Sequence, residues 1–125
     1  MVREGQSKLE TYKNNNGGGW VVASEYAYKG SYSDAYYPLQ SRGEEFMTDV
    51  VKPRFANVNR VGVWISHDMM VVPLTAFATN GKANLRYFDT KQWINYLAGV
   101  AIILGTDGTL RYEPVKGLSS GTMTM

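Results

Sequence analysis

Most of the long apolar runs fall between Arg60 and Pro114, and the upstream chain reads as something that packs on this stretch or extends it. Val61, Val63 and Ile65 share one parity and Gly62, Trp64 and Ser66 the other, which predicts a strand over Val61–Ser66. His67-Asp68 then supplies a turn. Met69–Ala78 is apolar on both parities and reads as a long strand covered on both faces. Pro73 has no amide proton to give, so an edge position or a bulge is expected there. Asn80-Gly81 is the strongest short hairpin signal, a type I′ turn, and brings the chain back as a strand over Lys82–Phe88. A short helix is predicted over Asp89–Gly99, capped by Asp89, ended at Gly99, with Trp93, Ile94 and Leu97 facing inward. Val100–Leu104 reads as a buried strand. Gly105-Thr106-Asp107-Gly108 turns it, and Thr109–Glu113 returns to Pro114.

Upstream, Trp20–Tyr28 carries the aromatic and β-branched content of a strand. Asn14-Asn15-Asn16-Gly17-Gly18-Gly19 would be the hairpin loop joining it to Leu9–Lys13. A phosphate cradle is not expected there, because the glycines lead into Trp20-Val21-Val22 and not into a lysine and a helix start. Ser41–Val51 reads as a helix: Ser41 and Glu44 spell a capping box, Phe46, Met47, Val50 and Val51 form one stripe, and Pro53 ends it. Arg54–Arg60 is a linker with Phe55 and Val58 as anchors. The resulting expectation is an α+β fold, a mainly antiparallel sheet of about five to seven strands with two short packed helices, because the connections are too short for parallel crossovers. A partly open barrel fits the same pattern. Residues 1–125 form a single domain, with a polar arm over 1–10, the Asn/Gly-rich loop at 14–19, a folded core over 20–114 and a flexible tail over 117–125.

Composition narrows this only a little. A chain of 125 residues suffices for one core without staples. The absence of cysteine excludes disulfides, thiol catalysis and cysteine-held zinc. It is compatible with the cytoplasm or a virion. Thirteen basic against 11 acidic residues give a net charge of +2, which neither demands nor forbids an anionic partner. The polar start carries no signal segment, and no apolar run is long enough to span a membrane.

No motif carries a complete chemistry. His67-Asp68 are chain neighbours, whose side chains usually point apart, and read as turn residues. Glu45 and Asp49 share a helix face, but nothing in the local spacing adds a further ligand to them. Gly30-Ser31-Tyr32-Ser33 is not a nucleophile elbow. Asp107-Gly108 is turn chemistry and not a calcium loop. No cofactor and no metal are expected.

The unusual feature is a run of rings, Tyr26, Tyr28, Tyr32, Tyr36 and Tyr37, in a segment otherwise rich in Gly, Ser and Asp. Tyrosines of this kind suit a protein interface. Lys52, Arg54, Arg60, Arg86 and Arg111, set beside such rings, would suit single-stranded nucleic acid. The expected function is therefore a non-enzymatic protein-interaction or structural assembly subunit, such as a virion component. It would bind itself or another protein through the tyrosines and sheet edges, and be a homo-oligomer. A single-stranded nucleic-acid module is the first alternative. A small-molecule binder or enzyme with a pocket between helices and sheet is the second.

Overall fold

A computed structural model of the protein describes residues 6–55 and 61–123. Five α-helices come first and one hairpin comes last: α1 (Gln6–Asn15), α2 (Gly19–Lys29), α3 (Leu39–Phe46), α4 (Asp68–Ala78), the single turn α5 (Tyr87–Thr90), β1 (Gly99–Leu104) and β2 (Leu110–Val115). A π-helical turn, Met47–Val51, and a 3₁₀ turn, Lys52–Phe55, extend α3. Helix makes up 47% and strand 12%, and the sheet is a two-stranded antiparallel pair. The expectation of a mainly β fold, with or without barrel closure, is therefore overturned. Val58, Arg60 and the outermost residues of the arm and tail lie outside the described residues.

The two long strands expected over Trp20–Tyr28 and Met69–Ala78 are the helices α2 and α4. In α4 the buried positions are Val72, Pro73, Thr75, Ala76 and, one residue past its end, Thr79. That spacing of three and four residues is helical. A helix covered on several sides is apolar nearly all round, so it matches a two-parity strand pattern equally well. Here α4 touches α2, α3, β1 and β2. Pro73 sits inside α4 and is buried, removing only the bond its own amide would have given to the Met69 carbonyl.

Asn80-Gly81 does take up the left-handed backbone that a type I′ turn would need, with φ of 52° and 75°. It spends it on a helix end. Gly81 N–H donates to the Ala76 carbonyl at 2.9 Å and Asn80 N–H to that of Phe77 at 3.1 Å, the Schellman pattern. Lys82–Phe88 is accordingly no partner strand. The Asn/Gly loop likewise joins two helices and not two strands: Asn14 and Asn15 finish α1, and Gly17 and Gly18 turn the chain at φ of 91° and 107°.

The helix expected over Asp89–Gly99 shrinks to α5. Lys91 adopts a left-handed φ of 57° and stops it. The chain beyond finds its hydrogen bonds in the C-terminal stretch. Trp93 N–H donates to Thr122 Oγ1 (2.9 Å), Thr122 N–H to the Trp93 carbonyl (3.3 Å), Gly121 N–H to Asn95 Oδ1 (2.7 Å) and Leu118 N–H to the Tyr96 carbonyl (2.9 Å). The segment expected to be a loose tail is thus docked through residue 123, and Met123 is buried.

Two expected elements persist. The first helix occupies Leu39–Phe46 and its π turn, close to Ser41–Val51, although Pro38 and not Ser41 stands at its cap. The terminal hairpin pairs Leu104 with Leu110 and Gly99 with Val115, around a three-residue loop in which Gly108 takes the left-handed position (φ 83°).

Packing centres on α2, which faces two cores. Val22 and Tyr26 join Leu9, Ala35 and Tyr36 on one side. Ala23 joins Val72, Ala83, Leu85, Trp93 and Met123 on the other. Ser24, also buried, donates to the Trp20 carbonyl at 2.8 Å and accepts from Phe88 N–H at 3.1 Å.

Candidate interaction surface

Gly43 in α3 lets that helix lie directly against α4: a Cβ there would stand 2.6 Å from the Phe77 ring. With that face committed, the opposite side of α3 and its π turn looks outward. Arg42, Glu45, Phe46, Asp49 and Val50, together with Met70 of α4, line an open groove of about 180 Å³. A π turn is an uncommon interruption that recurs at functional positions, because it shifts the register of the side chains beyond it. Here it leaves Val50 exposed while Met47 and Val51 stay buried.

The segment leading into α4 meets one residue of this groove, Phe46, through Trp64. Val61–His67 forms no regular element. Val61, Val63 and Ile65 are 93%, 81% and 91% exposed, and Trp64 is 53% exposed with its ring edge-on to Phe46, centroids 6.3 Å apart. The strand expected at Val61–Ser66 has its alternation but no neighbour to pair with among the described residues. An aqueous surface normally scatters its apolar residues singly, so an unbroken run of this kind marks a place of contact.

Of the five tyrosines, only Tyr37 is exposed. The other four are committed to internal contacts. Tyr26 and Tyr36 are buried, with rings stacked 4.1 Å apart, and the Tyr26 hydroxyl donates to the Tyr37 carbonyl at 2.8 Å. Tyr28 donates to the Ala83 carbonyl and accepts from Leu85 N–H at 3.1 Å, tying α2 to the chain after α4. The Tyr32 hydroxyl donates to Glu25. Burial pushes the Tyr26 and Tyr32 phenols up to about 12 each; for Tyr32 the bond to Glu25 adds to it. Tyr37 carries the guanidinium of Arg42 over its ring at 4.9 Å, which places it beside the groove.

The basic residues do not converge through any described contact. Lys52 and Arg54 are exposed in the 3₁₀ turn. Arg86 pairs with Asp89 at 3.8 Å, and Arg111 with Glu113 at 3.4 Å. Arg60 lies outside the described residues.

Asp68 has a structural duty. Its carboxylate accepts from the Trp93 indole at 3.0 Å and from Met69 N–H at 2.8 Å, at the end of α4 where the dipole favours an acid. Glu44, Glu45 and Asp49, with Ser41 and Thr48, line a shallow acidic concavity. Among the described residues no group of three or more acids and histidines is placed to hold a metal ion. No described helix is long and apolar enough to cross a membrane. Comparison with protein-family models, curated proteins and solved structures gives no match to this chain.

Sequence reasoning placed the contact surface on the tyrosines and passed over Val61–Ile65, because a strand-like alternation is ordinarily consumed by a sheet. The signal was present: an alternating run with no hairpin partner on its N-terminal side.

Proposed function

We propose that this protein is an interaction and assembly subunit that binds a copy of itself or another protein, with Val61–Ile65 and the adjoining α3 groove as the contact surface. The observation that carries this reading is the near-complete exposure of Val61, Val63 and Ile65. Leaving three such side chains in water forgoes roughly 1.5–3 kcal/mol each that burial against a partner would return. The Phe46–Trp64 contact and the Tyr37–Arg42 pair set rings and a guanidinium at the groove, the groups that anchor protein interfaces. The open edges of the two-stranded sheet add backbone groups for pairing.

Light scattering after size exclusion, at ~50 and ~500 mM salt with absorbance at 260 and 280 nm, tests this. A discrete multimer that persists at high salt is the expected result for self-assembly. Nucleic acid that co-elutes at low salt and leaves at high salt would favour the alternative through Lys52 and Arg54 instead, because phosphate contacts are the salt-sensitive ones.

A further inference from the structure

The hairpin contains an apolar strand with a single strand neighbour. β1, Gly-Val-Ala-Ile-Ile-Leu, is apolar on both faces, and α4 packs against it. Among the described residues its one strand neighbour is β2, and Ile103 is exposed.

The direction of its free peptide groups follows from the register. Gly105 N–H donates to the Thr109 carbonyl at 2.8 Å, so the bonded pairs of this ladder are Ile103 with Arg111 and Ala101 with Glu113. The alternate residues turn their N–H and C=O outward: Val100, Ile102 and Leu104 on β1, and Leu110, Tyr112 and Pro114 on β2. The β2 edge is blunted by Pro114, which has no proton to offer. The β1 edge has no such protection. Among the described residues, no backbone bond from outside the pair reaches Val100, Ile102 or Leu104.

Val61–Ser66 is the matching piece. It has the β-branched alternation of a strand and stands exposed. In its own molecule Trp64 lies against Phe46, and the segment makes no backbone bond to β1 among the described residues. Building on the assembly reading above, we propose that Val61–Ser66 of one molecule adds as a third strand along the free edge of β1 in a second copy. Closed two-fold symmetry makes the exchange reciprocal, so each molecule gives one strand and receives one. The hairpin then becomes three-stranded, with β1 in the central position and its open edge paired.

Substitutions that act on the backbone separate strand addition from simple apolar packing. Gly62→Pro with Val63→Pro removes an amide proton of each parity at exposed positions, so one of the two breaks a ladder bond in either register. Val63→Thr keeps the amide and the β-branched shape. The expected result is a wild-type dimer, retained in the Val63→Thr variant and returned to the 14.0 kDa of one chain in the double proline variant.

Hydrogen exchange on the unaltered protein gives an independent reading: the peptide covering Gly99–Leu104 should exchange more slowly as concentration rises through the dimerisation range. A multimer that survives the double proline variant overturns strand addition while leaving the assembly reading intact. So does a multimer lost equally in the Val63→Thr variant, or protection of Gly99–Leu104 that does not vary with concentration. A wild-type protein that stays at 14.0 kDa at every concentration overturns this proposal and self-assembly together.

Discussion

At the scale of single residues, the tyrosines act as joints. The Tyr26 hydroxyl reaches across to the Tyr37 carbonyl inside a stacked pair with Tyr36, so Tyr26→Phe should cost about 1 kcal/mol and Tyr26→Ala about 3–5 kcal/mol in chemical denaturation. The same burial sets a pH dependence. Tyr26 and Tyr32 ionise at about 12 in the folded chain against an ordinary 10.0, so folding disfavours their phenolates. Their contribution to stability is complete below pH 10 and is lost as pH rises through about 12. Absorbance at alkaline pH should show these two rings still un-ionised at pH 10 while helical circular dichroism persists. Rings titrating freely near 10 in folded protein would contradict their placement.

Thr75 is fully buried in α4, and among the described residues its hydroxyl oxygen has no hydrogen-bond partner. Thr75→Val keeps the shape and removes the buried polar group, and should raise the unfolding free energy by about 1 kcal/mol.

At the scale of elements, the spacing of Gly and Asn was legible and the elements between them were not. Gly81 and Gly108 each take the left-handed backbone their sequence context implies. At Asp107-Gly108 the flanking segments are short and pair with each other, so the hairpin stands close to where the alternation puts it. At Asn80-Gly81 the preceding apolar run is a helix, and the same backbone closes its end. Periodicity failed in α2 and α4 because both are covered on more than one side, which removes the polar face that separates a period of two from one of 3.6. It failed at Asp89–Gly99 because the competing hydrogen-bond partners come from Leu118–Thr122, beyond the reach of any local rule. Gly43 marks a constraint that sequence alone conceals. Gly43→Ala suits an isolated helix better by roughly 1 kcal/mol. Here it should destabilise the protein by about 1–3 kcal/mol, since its Cβ would meet the Phe77 ring at 2.6 Å. A thermal melt of Gly43→Ala no lower than wild type would show that α3 does not lie so close to α4.

At the scale of the whole molecule, the chain's last described residues complete the larger core. Met123 packs with Trp93, Leu85 and Val72, and the strap from Leu118 to Thr122 fastens the segment on which Trp93 sits. Met123→Ala should therefore cost about 2–5 kcal/mol, in the range of core truncations and not of tail substitutions. Trp93 emission, excited against the Trp20 ring stacked 5.1 Å away, should report the loosening. None of this arrangement was visible in the composition of the tail, which apart from Leu118 is small and polar up to Met123. Its role depends on where the strap lies and not on how apolar it is. The candidate surface was legible in part: the alternation of Val61, Val63 and Ile65 has the look of a strand, and only the fold reveals that no described residue pairs with it.

The cap at Asn80-Gly81 also governs how the protein ages. An asparagine followed by glycine is chemically fragile, because the next backbone nitrogen can attack the side-chain amide carbon, expel ammonia and close a succinimide ring. In this molecule that nitrogen is engaged, its hydrogen held by the Ala76 carbonyl at 2.9 Å. Attack requires that bond to open and the left-handed turn to unwind. Conversion of Asn80 to aspartate and isoaspartate, by hydrolysis of that ring, is thus gated by fraying of α4, and its rate in folded relative to unfolded protein is a slow clock that counts how often the end of this helix comes undone.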